Sequence, residues 1–305
     1  MKHNIKITLI LLGMFLLTQL IGLYVINFYT PRFEEVLING TIQNVSYGNN
    51  IPYGMKPPSI EPEFSIISLL LAITFATALI FLLVKIKAKL IIRSWFFFVV
   101  AIGMAISFTA LLGKIKYASF IALFIAFILS FFKIYKRDIL IHNLTEIFIY
   151  PGIAVIFVPI LNVWTAVILL LAISVYDAYA VWKAKFMQKL AKYQITELQV
   201  FSGFFVPYIS KRLKNKIMKM KKLGRKNEKI KVNLAILGGG DIAFPLIFAG
   251  VLYRSIGVLS SLIVIATSTI ALGLLFILAR KGKFYPAMPF LTSGCLIGLG
   301  LSFLI

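Results

Sequence analysis

Two aspartates stand inside apolar runs that are long enough to cross a membrane. Asp241 lies in LAILGGGDIAFPLIFAGVLY, and Asp177 lies in LLLAISVYDAYAVW, the run before it. A carboxylate near the centre of a spanning helix costs about 2.5–3.5 kcal/mol on insertion scales, so such residues are usually functional or paired. The other acid inside an apolar run is Glu146, in ILIHNLTEIFIYPG. Asp177 is therefore the first candidate partner of Asp241.

Two carboxyl groups at one depth can perform acid–base chemistry together. A helix that leaves the membrane at Trp182 places Asp177 about 8 Å from the surface, at about 1.5 Å per residue. A helix that enters at Asn233 places Asp241 about 12 Å from the same surface. Two such carboxylates share a proton, so one activates water as a base while the other donates to a carbonyl. This arrangement predicts an aspartic-protease pair.

A coupled transporter explains these residues equally well when no other feature is considered. Transporters for ions or protons also place acids near the membrane centre, on helices interrupted by Gly and Pro. Gly238, Gly239 and Gly240 precede Asp241, and Pro245 follows it. The three glycines remove side-chain bulk and so permit another backbone to come close.

The elements that must position the aspartates are membrane helices. The chain has 305 residues, of which 60% are hydrophobic and 14% charged, whereas soluble domains are about 25% charged. Runs of about 20 apolar residues cross the hydrocarbon layer, and nine such runs predict an all-α membrane protein with nine transmembrane helices. A short strand or hairpin near Ile230 or Phe284 is the most sheet that we expect. The predicted spans are Ile5 to Phe28, Phe64 to Val84, Leu90 to Gly113, Tyr117 to Phe132, Ile139 to Pro159, Val163 to Trp182, Asn233 to Tyr253, Ile256 to Ala279 and Phe284 to Ile305.

The distribution of basic residues predicts the orientation. With the N-terminus in the cytoplasm and the C-terminus outside, 27 of the 32 Lys and Arg residues fall on the cytoplasmic side. This asymmetry follows the positive-inside rule. It also explains the net charge of +22 without a nucleic-acid partner.

The predicted organisation has three parts. Residues 1–182 carry spans one to six, with an irregular outside loop at 30–63. Residues 183–232 form a basic cytoplasmic loop, and residues 233–305 carry spans seven to nine.

Within the cytoplasmic loop, two short segments have their own patterns. The cluster Phe201, Phe204, Phe205 and Val206 suggests a helix that lies against the membrane. From Ile209, apolar residues recur among Lys and Arg, as in an amphipathic helix on anionic lipid or in a solvated charge run.

Several enzyme classes lack their signature residues here. The histidines are His3 and His142, and the single cysteine is Cys295, so the sequence predicts neither a metal site nor a cofactor. His142 and Glu146 are four residues apart, which predicts a structural pair on one helix face.

Three motifs in order resemble those of a known family. Tyr176-Asp177 resembles its YD motif, Gly238-x-Gly240-Asp241 its GxGD motif, and Pro286-Ala287-Met288, followed by Pro289, its PAL motif. The family is that of the presenilin and signal peptide peptidase intramembrane aspartyl proteases, whose nine-span plan also fits the whole chain. The resemblance implies that Asp177 and Asp241 are catalytic. It also implies that Pro286 to Met288 shape the site and help to seat an extended transmembrane peptide. We expect Tyr176, the three glycines and Pro289 to contribute to the shape of the same site.

Some positions depart from the family pattern. Met288 replaces the Leu of PAL, a change of similar volume that should be tolerated. Pro245 is more typical of signal peptide peptidases and Pro289 of presenilins, so the branch stays open. This mixture fits an early-diverged prokaryotic, archaeal homologue in the cell membrane, and the compact chain should need no partner subunits. The prepilin and preflagellin peptidases also have GxGD, but they leave the YD and PAL matches unexplained.

Overall fold

The computed structural model contains nine α-helices and two short sheets in the residues that it describes. These residues are 5–38, 41–55, 62–113, 115–136, 138–182, 200–208, 233–279 and 285–304. The helices are α1 (Ile5–Tyr29), α2 (Pro62–Lys85), α3 (Lys89–Leu112), α4 (Ala118–Phe131), α5 (Ile139–Phe157), α6 (Val163–Trp182), α7 (Gly239–Ser255), α8 (Val258–Leu278) and α9 (Met288–Ser302). A π-helical turn, Phe132–Lys136, continues α4, and a 3-10 turn, Val158–Ile160, continues α5. The strands are β1 (Arg32–Ile38), β2 (Thr41–Tyr47), β3 (Gly203–Tyr208) and β4 (Asn233–Gly238).

The nine helices occur in the order of the nine predicted spans. Six of them are long and apolar enough to cross a membrane by length and composition, namely α1, α3, α4 with its π turn, α5 with its 3-10 turn, α6 and α8. The last helix, α9, is apolar but has only 15 residues, and α7 has 17. Both are shorter than predicted because non-helical segments replace their first residues. The seventh helix begins at Gly239 rather than Asn233, and the ninth begins at Met288 rather than Phe284.

The predicted outside loop contains a β-hairpin. Strands β1 and β2 pair antiparallel from Arg32 with Tyr47 to Ile38 with Thr41. The prediction of an irregular segment is therefore wrong for residues 32–47. Its sequence carries the hairpin signal, because RFEEVLI and TIQNVSY contain β-branched residues and flank an Asn-Gly dipeptide.

The second sheet corrects one further prediction. Strands β3 and β4 pair antiparallel from Gly203 with Gly238 to Tyr208 with Asn233. The predicted surface helix around Phe204 is therefore a strand, whereas the amphipathic helix predicted from Ile209 lies outside the described residues. The start of β4 agrees with the short strand expected near Ile230. Pairing with β3 gives the backbone N–H and C=O groups of β4 hydrogen-bond partners. The glycines that follow would destabilise a helix that began earlier.

The core is centred on α7, which is enclosed by α1, α5, α6, α8 and α9. Its side chains Leu246, Phe248 and Leu252 are buried. Close contact between α3 and α5 depends on small residues, because a Cβ at Gly152 would lie 1.8 Å from the carbonyl oxygen of Gly103. The apolar side chains that remain exposed on the outer helices suit contact with lipid.

Candidate active site

Three helices meet where the predicted catalytic residues lie. Helices α6, α7 and α9 pack against one another. Asp177 is in the last turns of α6, Asp241 is the third residue of α7, and Met288 is the first residue of α9. The carboxyl groups of Asp177 and Asp241 are close enough to interact electrostatically. The fold thus brings together two acids that are 64 positions apart in the sequence.

Asp177 is held by the backbone of the segment that follows α8. Its side chain is buried, and its Oδ2 accepts a hydrogen bond from the backbone N–H of Met288 at 3.1 Å. The backbone N–H of Ala287 also faces this carboxylate. The first N–H groups of a helix have no acceptor within it, so Asp177 caps α9. This contact uses the backbone N–H of Met288 and not its side chain.

Asp241 is held in a different way, at the transition from a strand to a helix. It lies in the first turn of α7 and is half-buried. A Cβ at Gly238 would lie 3.2 Å from its Oδ2, so this glycine leaves room for the carboxylate. Because residues 233–238 are extended, the depth of about 12 Å calculated for a helix that begins at Asn233 does not apply.

The glycines before Asp241 are not equivalent. A Cβ at Gly239 would lie 2.6 Å from Ser202 Oγ and 2.7 Å from the Tyr150 hydroxyl. A Cβ at Gly240 would meet Phe244 at 3.5 Å, an ordinary contact distance. The glycines predicted the approach of another backbone, whereas the atoms nearest to a Cβ at Gly239 belong to two polar side chains.

The remaining residues of the motifs have different environments. Pro286 is buried before α9, and Ala287 and Pro289 are half-buried. Tyr176 exposes 53% of its surface, because adjacent residues on a helix point in different directions. The structure therefore places Pro286 to Pro289 beside Asp177, and it directs Tyr176 outward.

Glu146 has partners other than the one predicted. Its Oε1 is 2.5 Å from the Lys133 ammonium, and its Oε2 accepts a hydrogen bond from the Tyr150 hydroxyl. His142 Nε2 is 3.7 Å from Glu146 Oε1 and instead bonds the carbonyl oxygen of Gly203 at 2.8 Å. The predicted His142–Glu146 pair is therefore secondary to the Lys133–Glu146 ion pair. Lys133 was missed because its position in a basic cluster, at the end of a span, suggests solvent exposure.

The contact between Gln19 and α7 is a second feature that sequence reasoning missed. Gln19 is buried on α1, and its Nε2 donates to the carbonyl oxygen of Ile242 at 3.0 Å. Ile242 directly follows Asp241, and Pro245 supplies no N–H for the carbonyl of Asp241. Gln19 thus binds the first turn of α7, one residue after the carbonyl that lacks its helical donor. An amide inside an apolar run was the signal that could have found it.

The site can perform hydrolysis with carboxyl groups and water. Among the described residues, no group of three or more His, Cys, Asp and Glu side chains could hold a metal ion. A pair of interacting carboxyl groups supplies an acid and a base from one residue type.

Comparisons with known proteins agree with this chemistry. A family model described as "Signal-peptide peptidase, presenilin aspartyl protease" matches residues 49–305. Among solved structures, a presenilin family intramembrane aspartate protease in a C222 crystal form is similar in fold. It has a TM-score of 0.61, is 18% identical, and the alignment covers 97% of this chain and 98% of that chain. A P2 crystal form of a presenilin family intramembrane aspartate protease has a TM-score of 0.59, 18% identity and 96% coverage of both chains.

No curated protein matches the chain in sequence. The family match nevertheless covers most of the chain, including all three helices of the site. The chain is therefore a multi-pass membrane protein that belongs to the signal-peptide peptidase and presenilin family of aspartyl proteases, and it is an intramembrane aspartyl protease.

Proposed function

We propose that Asp177 and Asp241 are the catalytic pair, and that they hydrolyse peptide bonds of single-span membrane proteins or signal peptides. The observation that carries this proposal is that Asp177 and Asp241 lie where α6, α7 and α9 pack together, and that their carboxyl groups interact electrostatically. The two acids share one proton, because two ionised carboxylates side by side repel each other.

Each carboxyl group has a separate task in the reaction. The ionised one takes a proton from water, and the oxygen of that water bonds to the scissile carbonyl carbon. The protonated one donates its proton to the carbonyl oxygen, which gives a tetrahedral diol. The carboxyl group that took the water proton then gives it to the nitrogen as the C–N bond breaks, while the other carboxylate takes a proton from a hydroxyl of the diol. The products are an acid and an amine. Asp177 and Asp241 finish the cycle with one proton between them.

The substrate lies extended beside Pro286 to Pro289, the segment that lies beside Asp177. A helical substrate must therefore unwind near the cut before water can reach its carbonyl. Helix-breaking residues near the scissile bond should speed cleavage, and Leu and Ala in the same positions should slow it. Comparison of the two substrate series in liposomes checks this step, since equal rates remove it.

The setting of the enzyme forms part of the proposal. The excess of basic residues in predicted cytoplasmic segments supports an N-terminus inside and a C-terminus outside. We place the protein in the cell membrane of a prokaryote, where it contacts membrane lipids and works without obligatory partner subunits. Cysteine-accessibility mapping tests this topology. Labelling of Thr41→Cys from the cytoplasm, or of Lys216→Cys from outside, would overturn it.

Purified protein in liposomes tests the catalytic assignment. Asp177→Asn and Asp241→Asn should each abolish cleavage of a single-span substrate, because Asn keeps the shape but cannot carry the shared proton. The wild-type rate should be bell-shaped in pH, as expected for an acid and a base. If the protein cuts no peptide but moves protons or ions in a manner that requires both aspartates, the transporter alternative is correct.

A further inference from the structure

A buried polar network connects the π turn after α4 with the glycine segment before Asp241. It begins at Lys133, which is 4% exposed, and Glu146, which is 0% exposed. The Lys133 ammonium has three donors and three acceptors around it. These are Glu146 Oε1 at 2.5 Å, Thr145 Oγ1 at 3.3 Å and His142 Nδ1 at 3.4 Å.

The donors and acceptors of the network have one consistent assignment. Lys133 can only donate, so His142 Nδ1 is an acceptor, and His142 Nε2 carries the hydrogen that it shares with the carbonyl oxygen of Gly203. The Tyr150 hydroxyl donates to Glu146 Oε2, so its bond with Ser202 Oγ, at 3.1 Å, must use the serine hydrogen. The network therefore has a direction, from Ser202 through Tyr150 to Glu146.

One face of α5 holds β3 along this network. His142 binds Gly203, and Asn143 both donates to the carbonyl of Phe205, at 2.7 Å, and accepts from its N–H, at 2.9 Å. Strand β3 pairs with β4, and β4 leads directly into the turn that carries Asp241. The position of Asp241 thus depends on a strand that α5 fixes.

Tyr150 is the member of the network nearest to that turn. A Cβ at Gly239 would lie 2.7 Å from its hydroxyl oxygen. The backbone N–H of Gly239 donates to the carbonyl of Ser202 at 3.2 Å. The phenol also interacts electrostatically with Asp241. Because Tyr150 is 2% exposed and bound on both sides, its hydroxyl is a fixed point beside the glycine segment.

We propose that Tyr150 is a positioning residue for Asp241, and that the Lys133–Glu146 ion pair fixes Tyr150 in turn. This inference rests on the proposed catalytic role of Asp241. The titratable groups that face the Tyr150 hydroxyl in the described residues are Glu146 on α5 and Asp241 on α7, while Lys133 and His142 reach it through Glu146.

The variant Tyr150→Phe tests the inference, since it keeps the ring and removes the hydroxyl. We expect kcat to fall about tenfold with KM within about twofold, because chemistry is impaired and substrate binding is not. The pH profile of kcat should also move, because a dipole beside Asp241 is lost. Tyr29→Phe is the matched control, since Tyr29 is buried and its hydroxyl donates to the carbonyl of Ile106 at 2.9 Å, in another part of the molecule. It should lower thermal stability and leave kcat and its pH profile unchanged.

The outcomes of these measurements decide whether Tyr150 positions Asp241. If Tyr150→Phe has the kcat and pH profile of the wild type, or loses activity only in proportion to its unfolded fraction, the inference is wrong. If Tyr150→Phe does not fold, Ser202→Ala decides, since it removes the donor to Tyr150 alone. In that case an about threefold lower kcat supports the inference and an unchanged kcat overturns it. Asp241→Asn is measured alongside, because activity in that variant would reject the proposed catalytic pair rather than the role of Tyr150.

Discussion

The two aspartates of the site are supported by different kinds of structure. Asp177 lies near the end of a regular helix, and the N–H of Met288 at the start of α9 binds it. Asp241 lies just after a strand and two glycines, and buried polar side chains such as Gln19 and Tyr150 surround its turn. The backbone hydrogen bonds of a regular helix fix the direction of its side chains, whereas a glycine-rich turn depends on contacts with other elements. The site therefore has one acid that binds the first backbone N–H groups of another helix, and one that lies on a turn contacted by buried polar side chains of other elements.

The largest effect that this comparison predicts is that of Lys133→Met, on the Asp241 side. The substitution leaves Glu146 buried without its cation, and loss of one partner of a buried ion pair costs about 3–5 kcal/mol. The double variant with Glu146→Gln should recover part of this loss, because it removes the unpaired charge. Thermal unfolding in detergent measures both, with Lys136→Met as the control, since Lys136 is exposed on the same π turn. Equal melting temperatures for Lys133→Met and the control would remove the ion pair from the account.

An intermediate effect should separate two adjacent glycines. In Gly239→Ala the new methyl group meets the Ser202 and Tyr150 hydroxyls at 2.6 and 2.7 Å and forces them apart. Such overpacking costs about 1–3 kcal/mol, which corresponds to about a five- to hundredfold loss of rate if it falls on the transition state. Gly240→Ala meets Phe244 at an ordinary distance and should lose less activity. Measurement of kcat for both variants checks the order, and the reverse order would contradict the close approach at Gly239.

The smallest effects compare one hydrogen bond on each side of the site. Gln19→Leu removes the bond to the carbonyl of Ile242 beside Asp241, and we expect kcat to fall about threefold, a loss that one bond of about 1 kcal/mol can supply. Its Oε1 is buried without a partner, so overall stability should change little. Thr292→Val removes a longer bond, 3.3 Å, to the carbonyl of Leu170 on α6, the helix that carries Asp177, and kcat should stay within about twofold. A larger loss in Thr292→Val than in Gln19→Leu would reverse the comparison.

The parts of the fold that could be predicted from sequence are those governed by apolar length. The sixth helix has the predicted bounds, Val163 to Trp182, because a run of apolar residues in a membrane has no better conformation than a helix. The nine helices and the family also agree with the prediction. Asp177 and Asp241 lie at one junction of helices, as the sequence indicates, because acids in adjacent apolar spans have few other polar groups nearby with which to pair.

The parts that were missed depend on contacts between distant segments. Nothing local to Asn233–Gly238 requires a strand, since the pairing partner is Gly203–Tyr208 on the far side of the basic loop. Likewise Lys133 is typical of a solvated helix end until α5 places Glu146 next to it. Such contacts could be anticipated only as polar residues inside apolar runs that need partners.

The most direct test of the account is whether the two aspartates bind a transition-state analogue as a unit. A peptide with a hydroxyl in place of the scissile carbonyl should bind between the carboxyl groups, and its Kd should be measured for the wild type, Asp177→Asn, Asp241→Asn and the double variant. The account predicts that each single variant weakens binding by at least about a hundredfold and that the double variant is no weaker than either, because residues that act as a unit are not additive. A single variant that binds like the wild type, or losses that add in the double variant, would contradict a shared catalytic pair.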